Sequence, residues 1–140
     1  MKRKSQKYNI DQFLKENPQF SESNVEIRID ESNSEDIKEF LTITKKNGDF
    51  KHQKRFKIIL WHILSGRYED EVYGREKMSE KSNDITAMKF KDRNNTRIYC
   101  KEFANEGKKI VMIIKHSKKV KKNDKRIKTL VDTIGEYDYD

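Results

Sequence analysis

The sequence has few of the residues that cross-link, break or anchor a chain: one cysteine, one proline and five glycines among 140 residues. Cys100 has no partner for an internal disulfide, which favours a reducing compartment, and we expect it to pack as a small hydrophobe. No apolar run approaches the roughly 18 residues that suggest a membrane span. The basic amino terminus has no apolar segment of the secretory type. We therefore expect a cytoplasmic protein that has no membrane partner.

Metal-ligand patterns are also scarce, since the chain has three histidines and a single cysteine. His52 and His62 are ten residues apart, which is not a spacing that places two ligands on one helical face. A zinc site ordinarily needs closely spaced His or Cys pairs. The sequence therefore predicts no metal and no other cofactor.

Positive charge is abundant and unevenly distributed. The chain carries 32 Lys and Arg against 24 Asp and Glu, a net charge of +8. Residues 85–128 hold 15 of these basic residues and only 4 acidic ones, so this stretch is +11 and the remainder is −3. A concentrated basic surface indicates an anionic partner, most commonly nucleic acid. The alternative is a basic soluble protein whose charges are merely solvated.

Apolar periodicity predicts a strand and two helices in the first half. Val25–Asp30 alternates apolar and polar residues, as a half-buried strand does. A helical stripe then follows Ser34, a plausible N-cap, and Gly48 is placed to end that helix. A second stripe predicts a helix over Phe50–Ser65, and the short turn between the two helices predicts an antiparallel hairpin.

The second half predicts three strands and a last helix. The polar connector Arg67–Asn83 shows no period, and strands are expected over Ile85–Lys91, Thr96–Phe103 and Ile110–Ile114. The last of these is apolar throughout, as expected of a central strand covered on both faces. A stripe over residues 127–134 predicts the final helix. The expected fold is α+β, in the order strand-helix-helix-strand-strand-strand-helix, with a small antiparallel-rich sheet packed on the helix hairpin.

Alternation in the first two of these strands separates an apolar face from a basic one. We expect the apolar set to lie against the helix hairpin and the second set to be open to solvent. The apolar set is Met88, Phe90, Ile98 and Cys100, and the second set is Lys89, Lys91, Arg97 and Tyr99. Residues 1–24 are assigned to an N-terminal extension, either docked or a free tail, and residues 25–140 to the main domain.

The strand TRIYCKEF containing Arg97, the strand KKIVMII and the following KHSKKVKKNDKR resemble the RelE/ParE toxin superfamily, specifically its HigB-like, phage-derived branch. The similarity covers about residues 25–134. It implies a RelE-like toxin of a type II toxin–antitoxin pair, with a cognate antitoxin as partner. RelE-like and HigB-like members are ribosome-dependent mRNA endonucleases that use 2′-OH attack and no metal. ParE-like members instead inhibit DNA gyrase, and a non-catalytic RNA-binding module is a third possibility.

The resemblance and the chemistry of metal-free RNA cleavage together identify candidate site residues. The reaction needs a base, cations around the phosphorane and an acid for the leaving oxygen. Arginine suits phosphate binding, neighbouring cations favour a lysine base, and histidine suits proton transfer. Two alternatives remain. The lysines could be ordinary solvent-facing residues, and Tyr99 could either stack on a base or simply pack against its neighbours. The catalytic candidates are Lys89, Lys91, Arg97, His116 and Lys119, and the RNA-binding candidates are Arg93, Tyr99, Lys115, Lys118, Lys121 and Lys122.

Overall fold

The computed structural model describes residues 2–43, 50–76, 84–104, 107–117 and 125–140. The chain is an α+β protein built on a six-stranded mixed sheet. Its elements are β1 (Ser5–Lys7), α1 (Asp11–Glu16), β2 (Val25–Asp30), α2 (Ser34–Thr42), α3 (Lys51–Leu64), β3 (Tyr73–Arg75), β4 (Ile85–Lys89), β5 (Thr96–Ala104), β6 (Lys108–Ser117) and α4 (Lys125–Gly135). The strand order is β1-β2-β6-β5-β4-β3; among these described strands β2 and β6 pair in parallel, and the other neighbours pair antiparallel. Within these described ranges, no helix has the length and apolar character needed to cross a membrane.

All seven elements expected from periodicity are present, with small changes at their ends. α2 begins at Ser34, but its N-cap position is Asn33, which makes no side-chain cap bond. The Asp30 carboxylate instead accepts the backbone N–H groups of Ser32 and Asn33 in the preceding turn. This carboxylate therefore orders the connection from β2 into α2. Gly48, the expected end of α2, lies outside the described residues.

The N-terminal residues are docked on the main domain. β1 pairs antiparallel with β2 and forms one edge of the sheet, while α1 buries Phe13 against the hairpin core. Arg3 and Tyr139 both bond to the fully buried Asp30, with Arg3 Nε at 2.7 Å and Tyr139 Oη at 2.7 Å from Oδ2. One buried carboxylate thus holds both ends of the chain on the sheet.

The connector Arg67–Asn83 contains the edge strand β3, which the sequence did not predict. Its register places Tyr73 opposite Met88 of β4. Three residues are too few to show an alternating pattern, so periodicity gives no signal there. Tyr73 is buried, and its hydroxyl donates to Glu102 Oε2 at 2.5 Å and accepts from Thr86 Oγ1 at 2.8 Å.

The sheet carries a core on each face. Against the hairpin of α2 and α3 lie Met88, Phe90, Ile98 and Cys100, all buried, as predicted. On the other face, α4 packs its buried stripe over the sheet. The expectation that the second face is open to solvent is therefore wrong where the amphipathic helix α4 covers it. Tyr99 is buried, Lys89 and Arg97 are partly exposed, and Lys91 is exposed as predicted. This second cluster contains Ile85, Ala87, Tyr99, Val111, Ile113, Ile127, Val131 and Ile134.

Candidate nucleic-acid and catalytic site

A β-bulge in β6 decides which way His116 points. Tyr99 pairs with Ile114, but its neighbour Cys100 pairs with Met112, so Ile113 is an extra residue on β6. One extra residue reverses the side of the sheet to which the following residues project. Met112 accordingly packs in the hairpin core, while Ile114 packs against the α4 core. Strict alternation, which places His116 on the side of Met112, is wrong for this strand.

Three basic candidates form a row across the sheet. Lys89 of β4 lies opposite Arg97 of β5, and Arg97 lies opposite His116 of β6. Directly paired residues share a face, and adjacent strands are about 4.8 Å apart. The side chains of Lys89 and Arg97 are 17% and 20% exposed, so both are accessible at the surface but largely shielded from water. The register therefore gathers Lys89, Arg97 and His116 at one end of the α4 face.

A carboxylate that the sequence did not single out lies in this row. Glu76 Oε1 is 3.1 Å from Arg97 Nη1, which donates to it, and 3.9 Å from Lys89 Nζ. Its backbone N–H donates to the carbonyl of Ile85 at 2.9 Å, which continues the β3–β4 pairing by one residue. The undetected strand β3 thus delivers Glu76 to the site. Nothing in the local sequence distinguishes Glu76 from the other acidic residues of the connector.

The electrostatic environment of Lys89 differs from that of an ordinary solvated lysine. Burial lowers the pKa of Lys89, and the nearby Arg97 guanidinium lowers it further, while Glu76 opposes the shift. Arg97 contacts Glu76 through Nη1 alone. Because a guanidinium presents five N–H donors, Arg97 retains donors for a phosphate. The cluster can accept a proton, donate a proton and bind an oxyanion.

The other candidates lie elsewhere. Tyr99 is fully buried under α4, so it offers no surface for base stacking in this conformation. Lys115 lies on the hairpin face, with Nζ 3.5 Å from Asp36 Oδ1 and above the ring of Phe40. Lys91 forms an ion pair with the exposed Glu71. The remaining lysine candidates, Lys118, Lys119, Lys121 and Lys122, lie outside the described residues.

Beside the row, a cleft opens between the start of α3 and the β4–β5 loop. Its volume is about 510 Å³. Within the described part of the chain, Lys51 and Arg93 make no hydrogen bond or ion pair with a side chain, and both are exposed. The lining residues are Lys51, His52, Phe90, Lys91, Asp92, Arg93 and Asn94. This arrangement makes the cleft electropositive and accessible to an anion.

His52 contributes two ring nitrogens that face acceptors at the wall of this cleft. Its Nδ1 lies 3.2 Å from the carbonyl oxygen of Phe40, and its Nε2 lies 3.2 Å from Asp92 Oδ2. Burial alone would raise the pKa of Asp92, but bonds from Thr96 and His52 lower it overall, so Asp92 is ionised. Both ring nitrogens therefore face acceptors, and both bonds form only when His52 is protonated on both nitrogens. The sequence pattern suggests a role for His52 only as a possible metal ligand, which its spacing from His62 argues against.

Two further observations bear on the site. Among the side chains that the structure describes, no three or more His, Cys, Asp or Glu residues are grouped to hold a metal ion. Comparisons with protein-family models, curated proteins and solved structures found no match to this chain.

Proposed function

We propose that this protein is an endoribonuclease that cleaves mRNA on the ribosome, as the toxin of a type II toxin–antitoxin pair. The observation that supports nuclease chemistry best is the cluster of Glu76 with Lys89, Arg97 and His116. It combines a carboxylate, two phosphate-binding cations and an imidazole at one end of the sheet. The resemblance of residues 25–134 to RelE-like toxins supports the ribosome as the place of action and an antitoxin as the partner.

In the proposed reaction Glu76 is the general base. It removes the proton of the ribose 2′-OH, and the 2′-oxygen attacks the adjacent phosphorus. A carboxylate is ordinarily ionised at neutral pH, whereas a lysine base needs a strongly lowered pKa. We therefore assign Lys89 to charge stabilisation, although the direction of its pKa shift is the one that a lysine base requires.

Arg97 and Lys89 stabilise the dianionic phosphorane, since charge-assisted bonds are strongest where negative charge develops. The bond from phosphorus to the 5′-oxygen then breaks. His116 donates the proton that this leaving oxygen takes up. The products are a 2′,3′-cyclic phosphate and a free 5′-hydroxyl, so every atom and proton is accounted for without a further reactant.

The flanking RNA backbone is proposed to follow the cleft at the β4–β5 loop. Thr96, which immediately precedes Arg97, donates its backbone N–H and its hydroxyl to Asp92, each at 2.8 Å. These bonds fix the loop that carries Arg93 relative to the catalytic row. Binding through Lys51 and Arg93, with His52 beside them, is sequence-independent and weakens steeply with salt.

The test is a purified translation system with a defined mRNA, in which new 5′ ends are mapped with and without the protein. We expect ribosome-dependent cleavage by the wild type and none by Arg97→Ala. Arg67 is an exposed arginine just beyond the C-terminal end of α3, whereas the cleft lies at the start of this helix. Arg67→Ala is therefore the matched control and should cleave normally. Intact mRNA together with inhibited gyrase supercoiling would replace the proposal with gyrase inhibition. Salt-sensitive RNA binding without cleavage would replace it with a binding module.

A further inference from the structure

Tyr73 and Tyr99 are both fully buried in this protein, but their hydroxyl groups differ in hydrogen bonding. Tyr73 Oη bonds to both Glu102 and Thr86. Tyr99 Oη is equally inaccessible, yet it has no hydrogen-bond partner among the residues that the structure describes. A buried polar group without a partner is costly, and in native proteins such a group calls for an explanation.

The orphan hydroxyl lies next to the proposed catalytic row. Tyr99 is two residues after Arg97 on the same strand, so both project from one face. Its ring centre is 6.4 Å from that of His116. Burial raises the pKa of Tyr99, and the Arg97 guanidinium opposes this rise while Glu76 adds to it. The hydroxyl therefore lies close to both members of the Glu76–Arg97 ion pair, and contact with the Arg97 guanidinium lowers its pKa as a hydrogen bond from Arg97 does, while no acceptor for the hydroxyl proton lies within bonding distance among the described residues.

We propose that Tyr99 Oη–H is a hydrogen-bond donor to a phosphate oxygen of bound RNA, and that the Glu76–Arg97 pair shields it in the free protein. A phosphate that binds Arg97 competes with Glu76 for the guanidinium, which holds Glu76 by a single bond of 3.1 Å. When Glu76 turns from Arg97 towards the 2′-OH, the hydroxyl of Tyr99 becomes available to the anion. This inference rests on the proposed function, because it names the ligand of the same site.

The role differs from that of a stacking platform. A fully buried ring cannot present its face to a base, whereas its hydroxyl interacts electrostatically with Arg97 and Glu76. Hydrogen bonds to charged groups are worth about 1.5–3 kcal/mol, which corresponds to a change in affinity of roughly 10- to 150-fold. Removing a donor that is unsatisfied in the free protein should not lower the stability of the free protein.

The experiment compares Tyr99→Phe with its matched control Tyr73→Phe, using binding of a 2′-O-methyl dinucleotide and thermal unfolding. The methyl group blocks cleavage, so binding is measured alone. We expect Tyr99→Phe to bind at least about tenfold more weakly than wild type while its Tm is unchanged or higher. We expect Tyr73→Phe to have a lower Tm and unchanged affinity, because its hydroxyl is already satisfied.

Each other result overturns the inference. Equal affinity of wild type and Tyr99→Phe would show that the hydroxyl does not contact the phosphate, and would leave the proposed function standing. A Tm for Tyr99→Phe as low as that of Tyr73→Phe would show that the hydroxyl already has a partner in the free protein. No binding of the dinucleotide by the wild type would overturn the inference, whereas the proposed function would still be decided by cleavage of mRNA on the ribosome.

Discussion

Arg97 on β5 and His116 on β6 lie directly opposite each other on one face of the sheet, because β6 carries Ile113 as an extra residue. Without that residue, alternation would direct the histidine into the α2–α3 side. The bulge therefore brings a proton-transfer group beside a phosphate-binding group. Bulges commonly re-aim side chains near functional sites.

The bulge directs the adjacent residues Lys115 and His116 of β6 to opposite faces of the sheet. Substituting each in turn should therefore affect the cleavage rate differently. His116→Ala should lower the cleavage rate by about 10²- to 10⁴-fold, the usual contribution of a positioned acid or base. Lys115→Ala should cleave at nearly the wild-type rate, because Lys115 points to the hairpin face and pairs with Asp36. Both rates are measured on one defined mRNA. A comparable loss of cleavage rate in both variants would mean that His116 contributes only charge to this surface and does not transfer the proton.

Glu76→Gln should separate binding from cleavage. The amide cannot take up the 2′-OH proton, so the cleavage rate should fall by about 10²- to 10⁴-fold. Affinity for a 2′-O-methyl dinucleotide should rise, because a neutral side chain no longer competes with phosphate for Arg97. Glu16→Gln is the control, since Glu16 pairs with Lys57 away from the row and the cleft. Unchanged cleavage by Glu76→Gln would remove this residue from the mechanism.

Charge reversal in the cleft should weaken RNA binding without a matching loss of catalytic rate. Lys51→Glu and Arg93→Glu each remove one cation that has no side-chain partner in the described chain. The slope of log affinity against log salt should become shallower by about 0.7 for each lost single-strand phosphate contact. Lys57→Glu, which changes a lysine paired with Glu16 farther along α3, should leave the slope unchanged. Identical slopes in all three variants would place the RNA elsewhere.

Asp92→Asn should reduce stability in a pH-dependent manner. The folded protein lowers the pKa of Asp92, so its contribution is fully present above the unfolded pKa and is lost as pH falls through the folded one. We expect the variant to be about 1–3 kcal/mol less stable than wild type near neutral pH. The difference should shrink below about pH 4. Urea unfolding across pH measures it, and a difference independent of pH would contradict an ionised Asp92 carboxylate in the folded protein.

The sequence predicted the elements with a clear apolar period and missed those without one. Alternation in β4 and β5 correctly assigned Met88 and Ile98 to the hairpin core. The same rule failed in β6, where a continuous apolar run hides the extra residue Ile113. Local sequence holds no sign of a bulge whose position depends on the partner strand.

Long-range placement accounts for the other differences at the site. Glu76 follows an edge strand of three residues, and its partner Arg97 is 21 positions away, so no local pattern connects them. The burial of Tyr99 follows from the docking of α4, which buries Val131 and Ile134 on that face. The stripe of α4 predicted that the helix needs a partner, but not which face of the sheet it covers.

The central claim is tested most directly by the chemistry of the RNA ends after induced expression in bacteria. Wild-type protein should produce mRNA fragments that end in a 2′,3′-cyclic phosphate on one side and a 5′-hydroxyl on the other. Arg97→Ala, expressed to the same level, should produce none. Fragments with 5′-phosphate ends, or equal cleavage by Arg97→Ala, would contradict 2′-OH attack at the row of Lys89, Arg97 and His116.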